Sequence, residues 1–158
     1  MSGSLNLLEK DFEAAVVSKI AALGVAGVEV TGAWQPAEAG TVKATEAADA
    51  VAACAVAVAP RSYDTASVPT CALAVSVALL VRMECAPDGA KVAEIVAPLF
   101  ALFQTWQNNF GQMSDDLALA GEFEPQWFRL DGGDGPTPDR QKRVWSVSQS
   151  FTVYGTAV

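Results

Sequence analysis

The chain has 158 residues, about half of them apolar, with a formal net charge of -8 and no histidine. This length predicts one domain, residues 1–158, with a core large enough to fold unaided. The acidic balance argues against a free nucleic-acid binder or a binder of anionic membranes, since both need clustered Lys and Arg. No apolar run approaches the ~20 residues of a membrane-spanning helix, and the N-terminus does not resemble a signal peptide. We therefore expect synthesis in the cytoplasm.

The first third of the chain predicts a helix, a strand and an irregular segment. Apolar residues recur every three or four positions over residues 5–23, with Asn6 as a possible N-cap and Gly24 as the left-handed residue after the helix. Residues 28–34 alternate as in a strand. Residues 35–50 have no bulky apolar periodicity, which predicts a loop or a hairpin arm that becomes ordered only against a partner.

The middle of the chain has the most regular pattern. Residues 51–59 alternate Val with Ala, which predicts a strand, although Ala-rich sequence leaves a helix open. After a polar connection at 61–69, residues 71–83 alternate large and small apolar side chains, as in a central strand. Residues 90–110 then predict a long helix, capped by Asp88, in which Pro98 introduces a kink or delays the start to near Glu94. Its apolar stripe is predicted to face the sheet and comprises Val92, Ile95, Val96, Leu99, Phe103, Trp106 and Phe110.

The last third predicts a short helix and two strands. Residues 114–120 form a candidate helix capped by Ser114, and residues 123–130 a strand. The glycines and prolines of 131–140 predict a turn. Residues 143–155 predict a half-buried antiparallel strand, with Trp and large apolar residues on one face and Ser and Thr on the other.

Residues that carry chemistry are scarce. The absence of histidine excludes Ser-His-Asp and Cys-His mechanisms, and no glycine-rich phosphate-binding motif is present. Cys54, Cys71 and Cys85 are widely spaced, so we expect buried or half-buried apolar residues. The acidic glycine-rich stretch from Asp131 lacks the spacing of a calcium loop, and the carboxylates at 115–116, 122 and 124 are expected to be solvated. We therefore expect no catalytic residue, no cofactor and no metal.

Two features of the last strand are candidates for a partner or subunit interface. Arg140, Lys142 and Arg143 form the only basic cluster in an acidic sequence, either a docking patch or a solvated entrance to the strand. The polar face of the strand would meet water or a neighbouring subunit, and it consists of Ser146, Ser148, Ser150 and Thr152.

The order of these elements resembles that of the tail terminator, or tail completion, proteins of long-tailed bacteriophages. The resemblance is carried by the strand-turn-helix at 71–110 and by the ending at 144–154, and it covers most of the chain. It implies an α+β fold with a mostly antiparallel or mixed sheet and two main helices packed on one face. The segment at about 35–50 would be the protruding arm or loop.

The resemblance also implies a function. Such proteins are structural virion proteins, assembled in the host cytoplasm, that form a ring, usually a homohexamer, on the head-proximal end of the tail tube. The ring ends tube polymerisation and offers a surface for head attachment. It implies three partners, namely other copies of the chain, the tail tube protein and the head-tail connector or stopper protein. DNA would pass through without specific binding, and no membrane is involved.

Two alternatives remain open. Another head-tail joining protein or a tail tube subunit would have a related small α+β core. A small acidic enzyme or ligand-binding domain without a recognisable motif is the alternative from a different class of protein.

Overall fold

The computed structural model of the chain describes residues 2–25, 27–33, 51–59, 62–64 and 70–157. The predicted arm at 35–50 therefore lies outside the described residues. The elements follow in this order: α1 (Ser2–Ala21), β1 (Val28–Gly32), β2 (Ala52–Val58), β3 (Ser62–Asp64), β4 (Thr70–Arg82), α2 (Gly89–Asn108), α3 (Phe110–Leu117), β5 (Phe123–Asp139) and β6 (Val144–Ala157).

The described strands form one mixed sheet with the order β1-β2-β4-β6-β5. β1 runs parallel to β2, whereas every other pair is antiparallel. β3 pairs with the start of β4. It lies on the same side of β4 as β2, which pairs with the later residues of that strand. β4 is thus the central strand, and the predicted α+β class with a mixed sheet is confirmed.

The helices pack on one face of the sheet, as predicted. The residues of β2 and β4 with large side chains are buried with those of α1, α2 and α3 in a single core. The aromatic centre of this core joins α2 to the last two strands. Phe151 lies 5.4 Å from Phe103, 5.8 Å from Trp106 and 5.0 Å from Phe128, measured between ring centroids. Burial of such rings supplies much of the driving force for folding.

The ends of the first two helices correct two details of the prediction and confirm two others. Asn6 lies inside α1 and is not its N-cap, because the helix begins at Ser2. α2 begins at Gly89 rather than near Glu94, and Pro98 lies inside it. Asp88 is the N-cap, as predicted, and accepts a hydrogen bond from the backbone N–H of Lys91 at 2.9 Å. Gly24 has the predicted left-handed conformation, with φ 64°.

The break between α2 and α3 overturns the prediction for Phe110. The extended backbone of Asn109 ends α2, and its side chain accepts a hydrogen bond from the N–H of Gln112, which starts α3. Phe110 therefore begins a new helix and is 60% exposed instead of completing the buried stripe. The proposed cap Ser114 lies inside α3.

The predicted turn at 131–140 is also wrong. Residues 131–139 are the second half of β5. They pair with β6 as far as Asp139, which lies opposite Val144, and the turn comprises only residues 140–143. Prolines are tolerated here because β5 is the edge strand of the sheet. Gly133 lies at a register shift where an added Cβ would overlap the Ser148 carbonyl oxygen, so the strands can pair this closely only around a glycine. The predicted polar connection at 61–69 contains the short strand β3.

Candidate subunit interface

The outer face of the sheet, opposite the helices, is lined by small side chains. Ser146, Ser148 and Ser150 of β6 point to this face, where Ser148 lies opposite Ala78 and Ser150 opposite Ser76. β2 continues the surface with Ala55 and Ala57, and no helix of the described residues covers it. We call this surface the small-residue face. Its exposed members are Ala55, Ala57, Ala74, Ser76, Ala78 and Ser146.

Thr152, at one end of the polar row on β6, is hydrogen-bonded to Asp131 of β5. Its hydroxyl donates to Oδ2 of Asp131 at 2.6 Å, and the Arg129 guanidinium donates to Oδ1 of the same carboxylate at 2.7 Å. The hydrogen bond from Thr152 lowers the pKa of Asp131; partial burial opposes the change and Arg129 reinforces it. Thr152 is buried, so its hydroxyl helps to hold β5 to β6.

An aromatic corner extends the outer face beyond Thr152. Trp127 on β5 lies opposite Tyr154 on β6, with ring centroids 5.0 Å apart. The Arg129 guanidinium lies 5.7 Å from the centre of the Tyr154 ring. Trp127 is nevertheless 53% exposed. The alternation of β5 gave no signal for this aromatic pair, because a bulge between Pro125 and Trp127 changes which side chains share a face.

The basic cluster lies in the turn between β5 and β6. Arg140, Lys142 and Arg143 are exposed, and the backbone N–H of Lys142 donates to Asp139 Oδ1 at 3.1 Å. Arg143 has a left-handed backbone with φ 56°, which is unfavourable for a residue with a Cβ. The turn thus ends on an exposed residue with a strained backbone.

The structure adds Arg82 to this basic cluster. The backbone N–H of Met83 donates to the Arg143 carbonyl at 3.0 Å, which places the end of β4 beside the turn. A shallow depression of about 180 Å³ is lined by Arg82, Glu84, Lys142 and Arg143. Arg82 is paired with Glu84 at 2.8 Å. Sequence spacing gave no signal for Arg82, because its proximity results from the pairing of β4 with β6.

Asp116, one of the candidate carboxylates, was wrongly predicted to be solvated. Its side chain is 11% exposed and lies 3.5 Å from the Lys19 ammonium. The pKa of Glu122 is raised by desolvation and by Asp11, a neighbouring acid from α1 that lies far away in sequence. Among the described residues, no group of three or more His, Cys, Asp or Glu side chains is arranged to hold a metal ion.

The cysteines have the predicted environments. Cys54 and Cys71 are buried and Cys85 is half-buried, and none of the three is in a disulfide. Burial raises the pKa of the Cys54 thiol to about 12. A thiol with such a pKa is a packing residue, because the reactive form of cysteine is the thiolate. Within the described part of the chain, no helix has the length and apolarity to cross a membrane.

The fold and surfaces define this chain as an α+β protein with a basic turn between β5 and β6 and with an outer sheet face that no described helix covers. Neither models of protein families nor curated protein sequences match it. Among solved structures, it is similar to a chain in the virion of a native gene transfer agent particle. The identity is 10%, the TM-score is 0.43, and the alignment covers 65% of this chain and 68% of that chain.

Proposed function

We propose that this chain is a structural virion protein, a tail terminator that caps the head-proximal end of a phage tail tube as a ring and has no catalytic activity. The observation that carries the proposal is the small-residue face. All described helices pack on the opposite side of the sheet, and none of them covers this face. The order of elements that resembles tail terminators supports the same function.

The small-residue face suits close contact with a flat protein surface. Its alanine and serine side chains are short, so a partner backbone can approach the sheet closely, and the serine hydroxyls offer hydrogen bonds. Such a face has little conformational entropy to lose on binding, because Ala and Ser have few side-chain rotamers. These properties favour a docking surface over a ligand pocket.

Charge gives the proposed ring two different roles. The basic turn with Arg140, Lys142 and Arg143 would bind an acidic surface on the tube protein or on the head-tail connector. The chain as a whole has a net charge of -8 and would repel DNA that passes through the ring. The ring would therefore bind proteins at its ends without retaining the genome.

Electron microscopy of the purified chain mixed with tail tubes tests this proposal. The expected result is extra density at one end of each tube and shorter tubes when the chain is present during polymerisation. Incorporation along the whole tube would instead identify a tube subunit. Absence of any association would contradict a virion role and favour the enzyme or ligand-binding alternative.

A further inference from the structure

The depression beside the basic turn is built by two segments that are far apart in sequence. Arg82 ends β4, whereas Lys142 and Arg143 belong to the turn before β6. With Glu84 they line a shallow depression of about 180 Å³, which we call the basic depression. Strand pairing sets Arg82 opposite Val144, the residue that follows Arg143, so the register of β4 on β6 brings the two segments together.

Hydrogen bonds order the backbone around the basic depression. The Met83 N–H donates to the Arg143 carbonyl at 3.0 Å, which ties the end of β4 to the turn. The Trp145 indole N–H donates to the Ala86 carbonyl at 2.9 Å and holds the same segment against β6. Arg143 keeps its unfavourable left-handed backbone within this frame. The backbone that carries the cations is therefore ordered before a ligand binds, which lowers the entropy cost of binding.

The basic depression concentrates positive charge on an acidic chain. Three of the ten Lys and Arg residues of the chain line it, and Arg140 is exposed on the same turn. Asp139, the acid of this turn, accepts a hydrogen bond from the Lys142 N–H and so serves the backbone of the turn itself. The acidic residue in the lining is Glu84. This balance of charges favours an anionic ligand.

A carboxylate of the chain itself already lies in the basic depression. Nη2 of Arg82 donates to Oε2 of Glu84 at 2.8 Å. The Glu84 side chain is nevertheless 66% exposed, and an exposed ion pair of this kind contributes little to stability. A carboxylate from another molecule can therefore replace that of Glu84 at a small cost in free energy.

We propose that the basic depression binds a carboxylate side chain from an acidic segment of a partner protein, and that Glu84 competes for this site in the free chain. The inference rests on the proposed function and deepens it, because it specifies what the basic turn recognises. A depression of about 180 Å³ suits a single acidic side chain, whereas a nucleic-acid strand needs cations along a track of phosphates. The net charge of -8 also disfavours nucleic acid as the ligand.

Binding of a short fluorescein-labelled oligoglutamate peptide, followed by fluorescence anisotropy at low salt, tests this inference. Lys142→Gln should weaken binding by about fivefold, the upper range for one exposed ion pair. Lys10→Gln is the matched control, because Lys10 is exposed on α1 and its loss changes the net charge equally. The control should stay within about twofold of the wild type, since salt screens distant charges. Equal weakening by both variants would overturn the inference, because net charge alone would then attract the peptide.

Glu84→Gln should have the opposite effect and tighten binding by about two- to fivefold, because it removes the competing carboxylate. Glu94→Gln is its matched control: Glu94 is an exposed glutamate of α2 that is also paired with a lysine, Lys91, at 3.7 Å. Equal effects of these two variants would overturn the competing role of Glu84. The four substituted positions are exposed, so thermal unfolding should match that of the wild type.

An oligothymidylate of equal net charge is the comparison ligand and should bind more weakly than oligoglutamate. Tighter binding of the oligothymidylate, with the same loss in Lys142→Gln, would assign the basic depression to phosphates and overturn the inference. Failure of both the wild type and Glu84→Gln to bind oligoglutamate would also overturn it. The proposed function fails separately, since peptide binding needs no tail tube: a chain that binds oligoglutamate in this way but never caps tubes would refute the terminator role alone.

Discussion

The indole N–H of Trp106 donates to Oδ2 of Asp116 at 2.8 Å, which joins the core of α2 to the surface of α3. Gln112 donates to the other carboxylate oxygen at 2.9 Å, and the Lys19 ammonium of α1 lies 3.5 Å from it. One carboxylate therefore contacts all three described helices. Trp106 is buried, so its indole N–H depends on this acceptor.

Replacing Asp116 by Ala should lower the free energy of unfolding by about 1–3 kcal/mol. This is the usual loss when a buried donor is left without its charged acceptor. Asp115→Ala is the matched control, because Asp115 is exposed and the change should stay within about 0.5 kcal/mol. Urea unfolding followed by tryptophan fluorescence measures both. Equal stabilities for the two variants would show that the Trp106–Asp116 bond contributes nothing net.

The same carboxylate should make stability depend on pH. Burial favours the neutral acid, but the hydrogen bonds from Trp106 and Gln112 and the Lys19 charge outweigh it, so the pKa of folded Asp116 is below its usual value. Its stabilisation is therefore fully present above the unfolded pKa of about 3.9 and is lost as pH falls through the folded pKa. The stability difference between wild type and Asp116→Asn should be larger at pH 7 than at pH 3. A difference that does not shrink in acid would contradict this linkage.

Gly133→Ala should destabilise the β5–β6 pair by about 1–3 kcal/mol. An added Cβ would overlap the Ser148 carbonyl and lie 3.1 Å from the Cα of Gln149, both parts of the backbone that cannot move alone. Gly132→Ala is the control, since no atom lies within 4 Å of its added Cβ. Chemical denaturation of the two variants compares them directly. If Gly132→Ala were the more damaging change, the register of β5 described above would be wrong.

Arg143→Gly should raise the free energy of unfolding by about 1 kcal/mol, because glycine adopts the left-handed conformation of this residue without strain. The same variant should weaken docking to the proposed acidic partner, because it removes an exposed charge. Lys142→Gly is the comparison: it removes a neighbouring charge without relieving strain, so it should weaken docking and not raise stability. Thermal unfolding and tube co-sedimentation separate the two effects. A loss of stability in Arg143→Gly would show that the arginine side chain contributes more than its backbone strain costs.

Ellman's reagent at pH 8 should label one thiol per folded chain, that of half-buried Cys85. Cys54 and Cys71 are buried, and the pKa of Cys54 of about 12 leaves almost no thiolate at this pH. All three thiols should react in denaturant. Fast labelling of Cys54 in the native protein would mean that β2 opens readily from the sheet.

Ala78→Arg should abolish capping of tail tubes without unfolding the chain. Ala78 is exposed in the middle of the small-residue face, where a long charged side chain would hold a partner away. Ala101→Arg is the matched control, because Ala101 is also exposed but lies on α2, on the helical side. Electron microscopy of tube ends with each variant provides the measurement. Capping by Ala78→Arg at wild-type levels would exclude the small-residue face as the docking surface.

Regular alternation made the centre of the fold predictable, and local exceptions made its edges unpredictable. The alternating large residues from Cys71 to Val81 predicted the buried face of β4, because every second side chain of a central strand packs into the core. Phe110 fits the α2 stripe equally well in sequence, but Asn109 caps a new helix there. Residues 131–139 have turn composition and yet form a strand, because long β6 offers a partner along an edge where glycine and proline are tolerated.

The candidate interface was predictable only where it is continuous in sequence. Arg140, Lys142, Arg143 and the serines of β6 lie along one turn and one strand, so spacing was enough to group them. Arg82 joins them through the β4–β6 register, and Trp127 and Phe110 line one depression because α3 packs on β5. Such contacts between distant parts of the chain leave no periodic signal in a single sequence.

The position of β6 between β4 and β5 has a consequence for synthesis on the ribosome. Both neighbours of β6 precede it in the chain. The apolar strand β4 therefore leaves the ribosome before β6 and lacks this pairing partner while α2, α3 and β5 are synthesised. During that interval the β4 edge that will accept β6, from Thr70 to Arg82, has open backbone groups beside exposed valines and leucines. Nascent chains on neighbouring ribosomes could pair there, so the yield of soluble protein should depend on translation speed through the α2–β5 region.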